Sequence, residues 1–208
     1  MEAQKEFERI ALYCTQFPHE SYARMFGDID EENWKSILLP YAHTSVLDMG
    51  CGYGRISKIL TDLHCTVHAW DREPKFIELT KHQCPNAHMK EVDLMTYSLP
   101  SSASDDETYD VIIISCVCNY LPQSKCHEIL HWCKSHCKIL LFADVYPILN
   151  SYNEIPDESG FYSREQNTFT DDLTEDALLE EHIVRDITID YHKLKYVRMT
   201  YRFTTHES

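Results

Sequence analysis

The sequence predicts a doubly wound α/β fold: a mainly parallel sheet of seven strands that closes on an antiparallel C-terminal hairpin. Three observations carry that expectation. Short β-rich runs alternate with helix-like runs from residue 45 to residue 145, the pattern left by crossover connections between parallel strands. One run, YDVIIIS (109–115), is almost continuously apolar, as a strand buried on both faces must be. The last two β-rich runs, VRDITIDY and KYVRMTYRF, are separated by only a few residues, which suits an antiparallel hairpin.

Each element follows from its local pattern. SVLDM (45–49) is a short apolar run that ends at a cluster of glycines. RISKILTDL (55–63) carries Ile56, Ile59, Leu60 and Leu63 at helical spacing. CTVHAW (65–70) reads as the second strand and PKFIELTKHQ (74–83) as the second helix, with Pro74 in its first turn. AHMKEVD (87–93) is the third strand, and the polar, acidic SSASDDET (101–108) is a loop. After YDVIIIS come a helix, SKCHEILHWCKSH (124–136), and a fifth strand, KILLFADV (138–145). TEDALLEEHI (174–183) reads as a helix ahead of the hairpin. Residues 1–40 have mixed helical character and form an N-terminal cap on a single domain spanning 1–208.

Composition narrows the function. The chain has 208 residues, 43% of them hydrophobic, and a formal net charge of −15. Phosphate-rich partners are held by Lys and Arg, so this balance disfavours nucleic acid and suits a basic peptide, an amine or a small molecule. No segment approaches the ~20 apolar residues that cross a bilayer, so no membrane partner is expected. MEAQKEFERI lacks the apolar stretch of a signal peptide, and nine cysteines in that context read as free thiols. The expected location is cytoplasmic or nuclear.

Three of the five glycines fall in VLDMGCGYGR (46–55). A strand, a glycine turn and a helix start aim backbone N–H groups at a ligand. The spacing is G-x-G-x-G, Gly50 to Gly54, unlike the G-x-G-x-x-G of dinucleotide sites. Asp48, two residues before the first glycine, would repel a pyrophosphate and suit a cationic group. Seventeen residues past Gly54, Asp71 ends the second strand, placed to bond ribose hydroxyls.

V-L-D-x-G-C-G-x-G, the acid after the second strand, D-L after the third and Y-D-V-I-I resemble class I S-adenosylmethionine-dependent methyltransferases, which have a Rossmann-like fold. The resemblance covers about residues 40–145. It implies S-adenosylmethionine as cofactor and S-adenosylhomocysteine as product. Asp48 and the Gly50, Gly52 and Gly54 backbone would face the methionine part. Asp71 would take the ribose hydroxyls, Asp93 and Leu94 would flank the adenine, and Ser115 would line the same site.

G-C-G-Y-G-R-I-S-K, Y-C-T-Q-F-P (13–18), M-F-G (25–27) and P-D-E-S-G-F-Y-S-R (156–164) further resemble segments of the protein α-N-terminal methyltransferases, which modify chains starting Xaa-Pro-Lys. That resemblance gives Arg55 the cofactor carboxylate, a sound role for a fork of donors. It implies a protein or peptide substrate and puts Tyr120 in the place of the family's His. For an amine acceptor, Asp144 at the end of the fifth strand and Asp157 in the following loop are the candidate bases, against a cap or loop anchor and a solvated loop acid. The sequence departs from the pattern at Cys14, Cys116, Tyr120 and Val145. Two other readings remain open: methylation of a small metabolite, and a catalytically dead binding protein.

Two clusters complete the reading. Tyr146, Tyr152, Phe161, Tyr162 and Phe169, with Glu154, Asp157, Glu158, Asp171 and Asp172, follow the fifth strand; they would receive a cationic acceptor or simply pack and solvate the loop. Cys116, Cys118, Cys126, His127, His131, Cys133, His136 and Cys137 include i, i+4 pairs, but no paired C-x-x-C motifs. Buried cysteines acting as small hydrophobes explain them, and no metal is expected.

Overall fold

The long apolar run becomes the centre of the molecule. In the computed structural model, which describes residues 31–100, 108–147, 173, 177–189 and 192–203, it forms strand β4 (Tyr109–Ser115). Val111 to Ile114 are all at most 1% exposed, because helices cover both faces of the strand. β4 lies beside β1 (Ser45–Met49), which pairs on its other edge with β2 (Thr66–Asp71). β3 (His88–Glu91) continues outward from β2, and β5 (Cys137–Pro147) lies on the far side of β4. These five strands are parallel. β6 (Ala177–Ile189) and β7 (His192–Phe203) form the hairpin, and β7 pairs antiparallel with β5. The order is β3-β2-β1-β4-β5-β7-β6, so the strand order reverses between β1 and β4.

Helices α1 (Glu31–Leu38), α2 (Arg55–Asp62) and α3 (Pro74–Gln83) cover one face. There Trp34, Leu38, Ile56, Ile59 and Leu60 pack on Val46, Val111, Ile113 and Leu141. Residues 31–38 of the expected cap therefore contribute core side chains through Trp34 and Leu38; residues 1–30 lie outside the described residues. Helix α4 (Gln123–His136) covers the other face, where Cys126, Ile129, Leu130 and Cys133 meet Leu47, Met49, Ile112 and Phe142. Cysteine thus fills positions on the apolar stripe of α4, while His127 is half-buried and His131 exposed. Among the described residues no group of three or more His, Cys, Asp or Glu side chains is placed to hold a metal ion.

The expectation of a helix over 174–183 is corrected: strand β6 begins at Ala177. Ala, Leu and Glu favour helix locally, yet β7 offers a complete ladder, with Ala177 opposite Phe203, Leu178 opposite Arg202 and Leu179 opposite Tyr201. Burial alternates as a strand requires, with Ala177 and Leu179 half-buried and Leu178 and Glu180 out. The register shifts between Leu179 and Glu181, a bulge in the ladder. Arg202 Nε donates to Glu180 Oε1 across the pair at 2.5 Å.

Candidate functional site

The reversal point brings the glycine turn, the end of β4 and the end of β5 to one edge of the sheet. The N–H groups of Gly50 and Cys51 both donate to the Trp70 carbonyl, at 2.7 and 2.9 Å, which hooks the turn over the end of β2. Gly54 then caps α2 without a side-chain bond. All three glycines have positive φ, +79°, +54° and +88°, which favours residues without a Cβ.

Their surroundings differ. A Cβ on Gly50 would lie 2.3 Å from Cγ2 of Val117, and one on Gly54 would lie 3.0 Å from the Cα of Thr80. Those two glycines let parts of the protein touch. At Gly52 no described atom comes within 4 Å of the Cβ position, so this glycine leaves its space to something else.

Three side chains brace the turn. Asp71 Oδ2 accepts from the Gly52 N–H at 2.9 Å and Oδ1 accepts from the Glu73 N–H at 2.9 Å. Thr80 Oγ1 donates to the Gly52 carbonyl at 2.9 Å, and Gln83 Nε2 donates to the Tyr53 carbonyl at 2.8 Å. Beneath the turn, Asp48 is 2% exposed and accepts from Ser57 Oγ at 2.6 Å. Burial pushes the Asp48 carboxyl up to about 6, against the Ser57 bond and the Arg55 charge, with Asp71 adding to the rise. Asp71 is also raised, again by burial, and its backbone donors hold it down. The Arg55 guanidinium lies 5.8 Å from the Trp34 ring centroid, a cation–π contact.

Asp93 and Leu94 follow β3 at the same edge. The Asp93 carboxylate accepts from the Met95 N–H at 3.0 Å, and Leu94 is buried. Ser115 closes β4, and Cys116 takes a left-handed φ of 58° while its N–H donates to the Ala143 carbonyl at 2.8 Å. Burial raises the Cys116 thiol, the Asp144 charge raises it further, and Ser115 and Arg55 oppose them. Asp144 is fully buried near the end of β5. Tyr120 is half-buried in the short 3-10 turn Cys118–Tyr120 beyond Cys116. Tyr146 lies on β5. Asp157, the rest of the aromatic and acidic loop, the 13–18, 25–27 and 156–164 segments and residues 101–107 lie outside the described residues.

Sequence reasoning missed Ser57, Thr80 and Trp34. Ser57 left a signal, a hydroxyl among the inward positions of a helix that otherwise carries isoleucine and leucine there. Thr80 and Trp34 left none, because their partners are distant in the chain.

A parallel sheet in the order 3-2-1-4-5 with an antiparallel pair beyond it, a glycine turn after β1 and an acid closing β2, is the class I methyltransferase fold. Residues 46–139, a little under half of the chain, match the family model described as a methyltransferase domain. The N-methyltransferase NodS of Bradyrhizobium japonicum, solved with S-adenosyl-L-homocysteine, superposes with a TM-score of 0.68 at 16% identity, covering 98% of this chain and 100% of that one. TehB of Haemophilus influenzae gives 0.67 at 19% identity over 89% of this chain, which spans 66% of TehB's own length. Coclaurine N-methyltransferase, bound to N-methylheliamine and S-adenosylhomocysteine, gives 0.64 at 12% identity over 86% of this chain and 76% of that one. No curated protein matches the chain in sequence.

Proposed function

We propose that this chain methylates an amine, and that its acceptor is the α-amino group of a basic protein or peptide. The observation that carries the reading is Asp144, a carboxylate with no solvent exposure at the same sheet edge as the glycine turn. A carboxylate at that edge can attract a cationic amine and take up its proton.

The residues present suit the cofactor. When bound, S-adenosylmethionine supplies an electrophilic methyl group on a positively charged sulfur. Asp48 takes the ammonium of its methionine part and Arg55 the carboxylate. The open space at Gly52 lets it approach the backbone. Asp71 takes the ribose hydroxyls, since a carboxylate has acceptor capacity beyond its backbone bonds. Asp93 and Leu94 flank the adenine, and Ser115 lines the same edge.

On the acceptor side the amine must lose a proton before it can react. An α-amine has a pKa near ~8, so a carboxylate is base enough at neutral pH. Asp144 accepts that proton; Tyr120 and Asp157 orient the amine. The net charge of −15 draws a basic chain towards the site, and the expected setting is the cytoplasm or nucleus. Methylation of a small amine is the second reading, favoured by the fold shared with coclaurine N-methyltransferase.

The test is methyl transfer from labelled S-adenosylmethionine to an Xaa-Pro-Lys peptide, its N-acetylated twin and a panel of small amines. Label on the free peptide alone supports α-amine specificity. Label on both peptides moves the acceptor to a side chain, and label on the small amines alone establishes the second reading. Label on none, with cofactor still bound, removes the amine reading.

A further inference from the structure

We propose that Ser57 is a positioning residue for the cofactor: its hydroxyl pins one oxygen of Asp48 and keeps that carboxylate fit to hold the cofactor's ammonium. This rests on the reading of the glycine turn as an S-adenosylmethionine site.

The placement of Ser57 is costly without such a role. It lies on α2 between Ile56 and the Ile59–Leu60 pair, and is as fully buried as they are. An apolar side chain is the packing default there, and a buried hydroxyl is unfavourable unless bonded. It does not cap its own helix. It donates to Asp48 Oδ2 at 2.6 Å, the length of a charge-assisted bond. Asp48 itself belongs to β1, flanked in sequence by the core residues Leu47 and Met49. A carboxylate so placed tends to take up a proton, and one that has done so no longer holds an ammonium.

The surroundings of Asp48 leave the balance to Ser57. Arg55 on α2 favours the charged form and Asp71 on β2 disfavours it, while the Ser57 bond is the largest favourable influence. Cys51 in the turn and Cys84 after α3 also face Asp48, but burial raises both thiols and keeps them neutral. The carboxyl is left near 6, close enough to neutrality for one lost bond to matter.

Calorimetric binding of S-adenosylhomocysteine between about pH 5 and 7.5 tests the proposal on wild type, Ser57→Ala, Ser57→Thr, Ser57→Cys and Asp48→Asn. The ligand's amine stays cationic across this range, because free α-amines titrate near ~8. Wild-type affinity should fall as pH drops through about 6. In Ser57→Ala the fall should begin at higher pH, displaced by on the order of one unit, with affinity about tenfold weaker below the midpoint. Ser57→Thr should keep the wild-type profile. Ser57→Cys, close in size and a weaker donor, should move it the same way by less. Asp48→Asn should bind weakly and without this pH dependence. An unmoved midpoint in Ser57→Ala, or in Ser57→Cys should the alanine variant fail to fold, overturns the proposal. Wild type that binds at no pH overturns instead the reading on which it rests.

Discussion

At one end of the functional edge, Asp48, Gly52 and Asp71 come from a stretch of two dozen residues tied by hydrogen bonds of 2.6 and 2.9 Å. At the other end, Asp144 lies on a strand whose partner returns from the end of the chain, where Asp144 stands opposite Val197. The end proposed for the cofactor is built by short-range geometry: a strand, a tight turn and a helix that constrain one another directly. The end proposed for the acceptor is built by long-range pairing. Changes at one end can therefore leave the other intact, because the two ends are held by different contacts.

The largest effect should come from Gly50. In Gly50→Ala the new methyl meets Val117 at 2.3 Å on a backbone with φ of +79°. Strain and overpacking together should cost about 3 kcal/mol of stability, seen as a fall in Tm, and cofactor binding should go with it. Asp144→Asn should leave binding intact and lower kcat on the order of a hundredfold in a methyl-transfer assay. Unchanged turnover would remove Asp144 from the mechanism and leave the acceptor end to the loop that follows β5. Gly52→Ala sharpens the contrast with Gly50, because its methyl enters open space. Its stability cost should be only about 1–2 kcal/mol, from the positive φ alone. Its cofactor affinity should drop about tenfold.

The smallest effect should be at the opposite edge, where a cleft of about 290 Å³ is lined by Tyr109, Asp110, His136 and Lys138 among others. Lys138 Nζ bonds Asp110 Oδ1 there at 2.7 Å, and this pair with the Ser45 N–H holds the Asp110 carboxyl below its ordinary value. Because the folded state depresses that value, the pair's contribution is present above about pH 4 and fades as pH falls through the folded value. Lys138→Met should cost less than about 1 kcal/mol near neutrality, and nothing at low pH, since Lys138 is largely exposed and Asp110 partly so. Methyl transfer and cofactor binding should be unaffected.

How much of this was readable beforehand follows the same division. Val46 to Arg55 announced a turn because three glycines within five residues have few other uses, and YDVIIIS announced a central strand because only burial on both faces explains it. The cysteines of α4 read as small hydrophobes, and Cys126 and Cys133 lie on its apolar stripe. ALLEEHI was misread because helix propensity is local, whereas the ladder with β7 that overrides it depends on residues some twenty positions later.

The sequence by itself determined the alternation of strands and helices, the hairpin, the glycine turn and the acids at the ends of β1 and β2, because each depends on neighbours a few residues away. Only the tertiary structure decided which glycine borders open space, which hydroxyl bonds Asp48, and that Arg55 stands over the Trp34 ring. Those facts are distances in space between side chains of different elements, and they come into being only when the helices pack on the sheet.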